Sequence, residues 1–166
     1  MTQAVFIDRD GVVNRVVVRH GRPHPPNSVD EVEFFPGVAE AIQSLHAAGY
    51  SVVVVTNQPD VATGVQSREV VESIHAKIRL LFAVDDIKVC YHVDQDGCEC
   101  RKPKPGLLLE AAYEWSLNLA KSYMVGDRWR DIESGKAVGC KTILVRGETN
   151  YAERQAENPD AIVNSL

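Results

Sequence analysis

The chain has 166 residues, is 45% apolar and carries a formal net charge of −5 with both signs scattered along it. That length is one ordinary domain with enough apolar material for a full core, and the charge leaves no basic footprint for nucleic acid and no polybasic membrane anchor. No apolar run reaches membrane-spanning length, and Asp8, Arg9 and Asp10 interrupt any leader pattern at once, so a cytoplasmic protein that acts as a monomer is expected.

In chain order, a short apolar run at Ala4–Ile7 reads as a buried strand and ends in Asp8-Arg9-Asp10-Gly11. Residues Arg15–Phe35, with Pro23, Pro25 and Pro26, read as a loop holding at most a short hairpin at Arg15–Arg19. A helical pattern follows at Val38–Ala48, then a strand at Ser51–Val55 whose four consecutive valines suit a strand covered on both faces. Next come a helix over Ser67–Phe82, a weaker strand at Ile87–His92 and a cysteine-bearing loop over Asp94–Pro105. The last elements are a helix at Gly106–Trp115, a strand at Ser122–Val125, a helix at Trp129–Val138 and a strand at Thr142–Val145. Such alternation predicts an α/β fold: a doubly wound, mostly parallel sheet with helices on both faces. Neither irregular segment is long enough to make a domain. A single domain over residues 1–166 with a minimal cap and no separate cap domain is therefore expected.

The polar residues gather at strand ends, where an open α/β sheet places its ligands. Two carboxylates at the end of a buried strand need a reason. Asp8 is suited to hold a cation or attack a substrate, while Asp10, swung off the strand axis by the turn at Gly11, is suited to handle a proton. The second strand ends in Thr56-Asn57-Gln58, and a later one in Gly126-Asp127-Arg128, with Asp131 four residues beyond Asp127. Between them lies Arg101-Lys102-Pro103. Taken singly, these read equally as a helix-entry cap, a turn and a solvated charge run. Together at one sheet edge they make coherent chemistry. Asp8 and Asp127 offer the hard oxygens that Mg²⁺ prefers, Thr56 offers a hydroxyl, and Lys102 a positive charge where phosphoryl transfer accumulates negative charge.

Three of the four cysteines fall within eleven residues, in the order Cys90-x-His92-x₅-Cys98-x-Cys100. In a reducing compartment this clustering suggests metal more than disulfide. Four soft ligands with no open position predict a structural, tetrahedral Zn²⁺. Three thiolates on one Zn²⁺ would leave a net −1 beside Arg101 and Lys102 and fix where those cations point. Cys140 reads as a small core residue. His20, His24, His46 and His75 read as solvated or core residues.

Asp8-Arg9-Asp10-Gly11-Val12-Val13-Asn14, Thr56-Asn57-Gln58, Arg101-Lys102-Pro103 and Val125-Gly126-Asp127 resemble the four ordered motifs of haloacid-dehalogenase superfamily phosphatases, over nearly the whole chain. With the cysteine pattern added, the sequence is similar to two branches of that superfamily, one acting on a heptose bisphosphate and the other on histidinol phosphate. The resemblance implies a Rossmann-like sheet and a Mg²⁺-dependent phosphomonoesterase working through an aspartyl-phosphate. It makes Asp8 the nucleophile and Asp10 the general acid/base that also offers its carbonyl to Mg²⁺. Thr56 and Lys102 would steady the phosphoryl group, Asp127 would complete the metal site, and Asn57, Gln58, Arg101 and Arg128 would contact substrate. The expected partner is a small phosphorylated sugar, foremost a heptose bisphosphate of envelope precursor synthesis, with histidinol phosphate as the alternative. Pro59-Asp60 stands where the heptose branch has Ser-Gly, and the short zinc loop lies closer to the histidinol-phosphate type. Segment Arg22–Pro26 matches neither branch and leaves the substrate-facing wall unassigned, and whether Asp131 joins the metal site stays open.

A signalling receiver also sets an acidic pair, a Thr and a Lys around a phosphorylated Asp, but on a middle strand rather than the first. A dinucleotide-binding domain lacks its Gly-x-Gly-x-x-Gly after strand one. A catalytically dead, zinc-stabilised binding module is the remaining alternative, although every expected catalytic residue type is present.

Overall fold

In the computed structural model, which describes residues 2–147 and 154–166, six strands form one sheet in the order β5-β4-β1-β6-β7-β8. They are β1 (Gln3–Ile7), β4 (Tyr50–Asn57), β5 (Asp86–Cys90), β6 (Tyr123–Gly126), β7 (Lys141–Val145) and β8 (Ala161–Val163). Every neighbouring pair is parallel. The chain runs outward from β1 through β4 to β5, then returns to build β6, β7 and β8 on the other side. Strand order therefore reverses around β1, and that reversal opens a crevice at the carboxyl ends of β1 and β6.

Alternation along β1 sorts the core into two layers. Val5 and Ile7 face α1 (Val38–Ala47) and α2 (Arg68–Leu81), packing with Val52, Val54, Ile42, Ile74 and Ile78. Ala4 and Phe6 face the other way, onto Val53, Val55, Met124 and the Leu107, Leu108 and Ala111 stripe of α3 (Gly106–Trp115). Val52–Val55 of β4 are all fully buried, and each such side chain contributes on the order of 1.5–3 kcal/mol. Cys140 belongs to the second layer, as expected of a small core residue. The Ser67 side chain accepts from Val70 N and starts α2; α4 (Trp129–Ala137) follows β6 directly.

Three expectations need correction. The hairpin lies at β2 (Val17–Arg19) and β3 (Arg22–His24), not at Arg15–Arg19, because His20 and Gly21 both take positive φ (51° and 72°) and supply a two-residue turn. Pro23 is tolerated there because the ribbon has only two strands, so one edge of each is open. Strand β5 stops at Cys90 rather than running to His92; the Cys90 carbonyl accepts from Gln58 N at 2.7 Å as its last partner across the sheet. Strand β8 was not anticipated at all: its three residues are exposed, so no burial periodicity marks them. Among the described residues no helix is long and apolar enough to cross a membrane.

Candidate active site

The end of β1 is tied to β6 by Asp8 N, which donates to the Val125 carbonyl at 2.9 Å. The chain then folds into a compact turn in which the Arg9 carbonyl accepts from the N–H groups of Val13 at 2.8 Å and Asn14 at 3.1 Å. Two glycines make room for acids here. A Cβ on Gly11, whose φ is +98°, would overlap the Asp127 carboxylate, and one on Gly126 would overlap Asp131. Backbone close approach, rather than side-chain reach, thus brings Asp8, Asp127 and Asp131 together, with one oxygen of each within 4.8 Å of the others.

Lys102 is the hub of this cluster. Its Nζ donates to Asp8 Oδ1 at 2.7 Å, Asp131 Oδ1 at 2.6 Å and the Val55 carbonyl at 2.8 Å. Burial opposes the ammonium charge, yet Asp131 and Asp8 hold it above the usual lysine range. Burial, reinforced by the Asp131 charge, pushes the Asp8 carboxyl up to about 7 against the pull of Lys102. Two carboxylates sharing one ammonium leave an excess of negative charge in a dry place. Asp131 is committed at both oxygens, since its Oδ2 accepts from Arg128 N at 3.1 Å. Asp8 and Asp127 remain as the pair best suited to a hard divalent cation, which takes one or two carboxylates. The Asp10 side chain lies outside this cluster.

Asp10 faces a different set of donors. Its carboxylate accepts from Arg9 Nε at 3.2 Å, from one Arg9 terminal nitrogen at 3.0 and 3.1 Å, from Asn14 Nδ2 at 2.9 Å and from Gln58 Nε2 at 2.7 Å. Gln58 is fully buried and also donates to Thr56 Oγ1 at 2.9 Å, so its amide is directed at Asp10 and Thr56. Asn57 grips the Lys102 backbone twice, its Nδ2 donating to the carbonyl and its Oδ1 accepting from the N–H, both at 3.1 Å. Thr56 is buried beside them.

Above this floor lies a cavity of about 250 Å³. Its floor shows Asp8, Asp10, Asn57 and Lys102, and its walls show Arg101, Arg128 and Arg130 together with His24, Asp60, Pro23 and Pro25. Asp94, from the cysteine loop, holds two of the arginines side by side: Arg101 Nε donates to its Oδ1 at 2.8 Å, and Arg130 donates to both its oxygens at 3.2 Å. The Arg101 hydrogen bond keeps the Asp94 carboxyl below its ordinary range. The sequence marks Asp60 only as a departure from the heptose branch, does not mark Arg130, and leaves His24 reading as a solvated or core residue. A charge inside a helix or loop has no periodicity to distinguish a cavity wall from solvent.

The cysteine loop closes on itself. Cys90, His92, Cys98 and Cys100 place their ligand atoms within 4.8 Å of one another. Cys90 Sγ lies 3.7 Å from Cys98 Sγ, 3.6 Å from His92 Nδ1 and 2.8 Å from Cys100 Sγ; Cys100 Sγ lies 3.5 Å from Cys98 Sγ and 3.2 Å from His92 Nδ1. Ligands on a tetrahedral Zn²⁺ with 2.3 Å bonds sit about 3.8 Å apart, a spacing that three of these pairs approach, while Cys100 would have to move away from Cys90 and His92 to reach it. Against the effect of burial, the Arg101 backbone N–H and then the Cys100 and Cys90 thiols bring the Cys98 thiol down to about 7.

The HAD-hydrolase-like family model matches residues 99–166. The D-glycero-beta-D-manno-heptose-1,7-bisphosphate 7-phosphatase of Yersinia pestis is 37% identical over 183 residues, covering 100% of this chain and 94% of that protein. The protein of the same name from Pseudomonas aeruginosa is 37% identical over 147 residues, covering 86% and 80%. Among solved structures, D,D-heptose 1,7-bisphosphate phosphatase from B. bronchiseptica, complexed with magnesium and phosphate, is similar with a TM-score of 0.79 and 31% identity, covering 98% of this chain and 93% of that one. A chain that shares sequence and fold with such enzymes from end to end belongs to the haloacid-dehalogenase-like hydrolase family, as one of its phosphatases.

Proposed function

We propose that this phosphatase removes one phosphate from a heptose 1,7-bisphosphate destined for envelope precursors, through an aspartyl-phosphate. The observation that carries the reading is the pairing, in one cavity, of Asp8 and Lys102 on the floor with Arg101, Arg128 and Arg130 on the wall. A phosphoryl group on the floor leaves the wall to a second anion, and a sugar bisphosphate carries one at each end. The names of the relatives support the same substrate.

In this reading an Asp8 oxygen attacks phosphorus while the bond from phosphorus to the sugar oxygen breaks, and Asp10 protonates the departing alkoxide. Asp10, now a carboxylate, takes a proton from water, whose oxygen attacks the aspartyl-phosphate; phosphate leaves and the Asp8 carboxylate is regenerated. Lys102 and the Thr56 hydroxyl steady the phosphoryl oxygens. Gln58 acts one layer below, orienting Asp10, while Asn57 lines the cavity and holds the Lys102 backbone. The oxygen donors fit Mg²⁺, which Asp8, Asp127 and the Asp10 carbonyl would hold and which, when bound, offsets charge on the phosphoryl oxygens. Cys90, His92, Cys98 and Cys100 would hold a structural Zn²⁺ with no part in the bond changes.

The test is phosphate release from both anomers of the heptose bisphosphate, from histidinol phosphate and from a sugar monophosphate, with Asp8→Asn as the inactive control. A bisphosphate anomer should lead in kcat/KM by about tenfold or more over the monophosphate, the worth of one charge-assisted contact. Better turnover of histidinol phosphate would reject the substrate, and an active Asp8→Asn enzyme would reject the covalent route.

A further inference from the structure

Arg9 is fully buried and lies beside the reaction without entering it. One side of its guanidinium grips the Asp10 carboxylate; its other terminal nitrogen lies 3.0 Å from Nε2 of His75 on α2, 66 residues away in sequence. A guanidinium has no acceptor, so the imidazole nitrogen facing it must accept. His75 is therefore neutral, with its proton on Nδ1. Burial first, and then the Arg9 charge, hold the ring down to about 3. The charged groups that face His75 are Arg9, Asp10, Arg79 of its own helix and Glu72, whose Oε2 lies 4.0 Å from Nδ1.

We infer that His75 is a positioning residue for proton transfer: by accepting from Arg9 it fixes the guanidinium that in turn fixes the Asp10 carboxylate. This rests on the acid/base reading of Asp10 given above. The geometry explains why a histidine fills a fully buried position on α2. An apolar residue there would leave a guanidinium N–H buried without an acceptor, and the Arg9 fork would be free to turn away from Asp10. A charged ring would repel the same guanidinium. Asn14 and Gln58 hold Asp10 from the other sides, so His75 sets one of three supports rather than the whole position.

The experiment compares His75→Leu, His75→Gln, Asp10→Asn and the His75→Leu/Asp10→Asn double variant, on the heptose bisphosphate and on p-nitrophenyl phosphate, whose leaving group hardly needs a proton. With His75→Leu, kcat on the sugar phosphate should fall about tenfold, within the range of a misplaced general acid, with KM unchanged. Single-turnover phosphorylation by p-nitrophenyl phosphate should be much less affected. His75→Gln, whose amide oxygen can accept from Arg9, should recover most of the loss. The double variant should be no slower than Asp10→Asn, because His75 acts through Asp10. Thermal melts establish that each protein is folded; should His75→Leu not fold, His75→Asn, with an amide too short to reach Arg9, replaces it. Wild-type kcat in His75→Leu beside an inactive Asp10→Asn overturns this inference and leaves the Asp10 reading standing. So does an additive loss in the double variant. A fully active Asp10→Asn enzyme overturns the Asp10 reading itself.

Discussion

Lys102 and His75 are both buried, and their surroundings treat charge in opposite ways. Lys102 keeps its proton because two carboxylates lie within 2.7 Å. His75 loses its proton because burial and a guanidinium leave it no counter-charge that outweighs them. The histidine therefore has a signature in stability as well as in rate. Its ordinary value of 6.5 applies to the unfolded chain, against about 3 in the folded one. Between those values the unfolded state binds more protons, so the stabilisation is fully present above pH 6.5 and is lost as pH falls toward 3. His75→Gln removes the titrating ring. Its urea-unfolding free energy should decline less than that of the natural chain between neutral pH and about 4.5, by an amount on the order of a few kcal/mol. Parallel curves for the two proteins would refute the neutral, buried ring. Nothing in Ile74-His75-Ala76 announces this role, because a histidine at an apolar helix position reads the same whether its partner is a guanidinium or nothing.

At the scale of elements, the cysteine loop links the proposed zinc site to the cavity, since Arg101 and Lys102 directly follow Cys100 and Asp94 of the same loop grips Arg101 and Arg130. Purified protein should hold about one tightly bound Zn²⁺ per chain, as a closed four-ligand site does, and Mg²⁺ should exchange readily because it keeps several waters. Cys98→Ser or Cys100→Ser should lower zinc content and activity together, and added Mg²⁺ should not restore the loss. A mild EDTA treatment that strips only the weak metal should be fully reversed by Mg²⁺. Finding no zinc in fresh protein together with full activity of Cys100→Ser would mean that packing alone holds the loop. The strands and helices around this loop were legible in advance because their apolar periods are strong: Val52–Val55 admits no other reading than a strand buried on both faces. The acids at the ends of β1 and β6 were legible for the same reason, since an apolar run that stops at Asp8 or Asp127 marks its own end. The cavity walls were not. His24 reaches its place through a two-residue turn, Asp60 through a short helical turn after β4, and Arg130 through the first turn of α4, and none of these leaves a pattern beyond itself.

The whole molecule draws its candidate site from every part of the chain: Asp8 from the first strand, Thr56 from the second quarter, Lys102 from the middle and Asp127 from the last third. In the sheet, β1 is flanked on both sides by strands that come later, with Phe6 set opposite Val53 on one side and Met124 on the other. Both neighbours of β1 are non-local, and such pairings form late because long loops must close first. A chain cut at residue 120, lacking β6 onward, should show no cooperative melt and no turnover, and native-like unfolding by that fragment would contradict the ordering. The same arrangement bears on synthesis. On the ribosome, one edge of Ala4–Ile7 stays bare until β4 has been made, about 50 residues later, and the other until β6 has, about 120 residues later. Over that interval an apolar segment that will lie at the centre of the sheet is exposed. Asp8, Arg9 and Asp10, directly after it, put charge at one end of an otherwise adhesive strand, and charge there discourages edge-to-edge pairing between nascent copies.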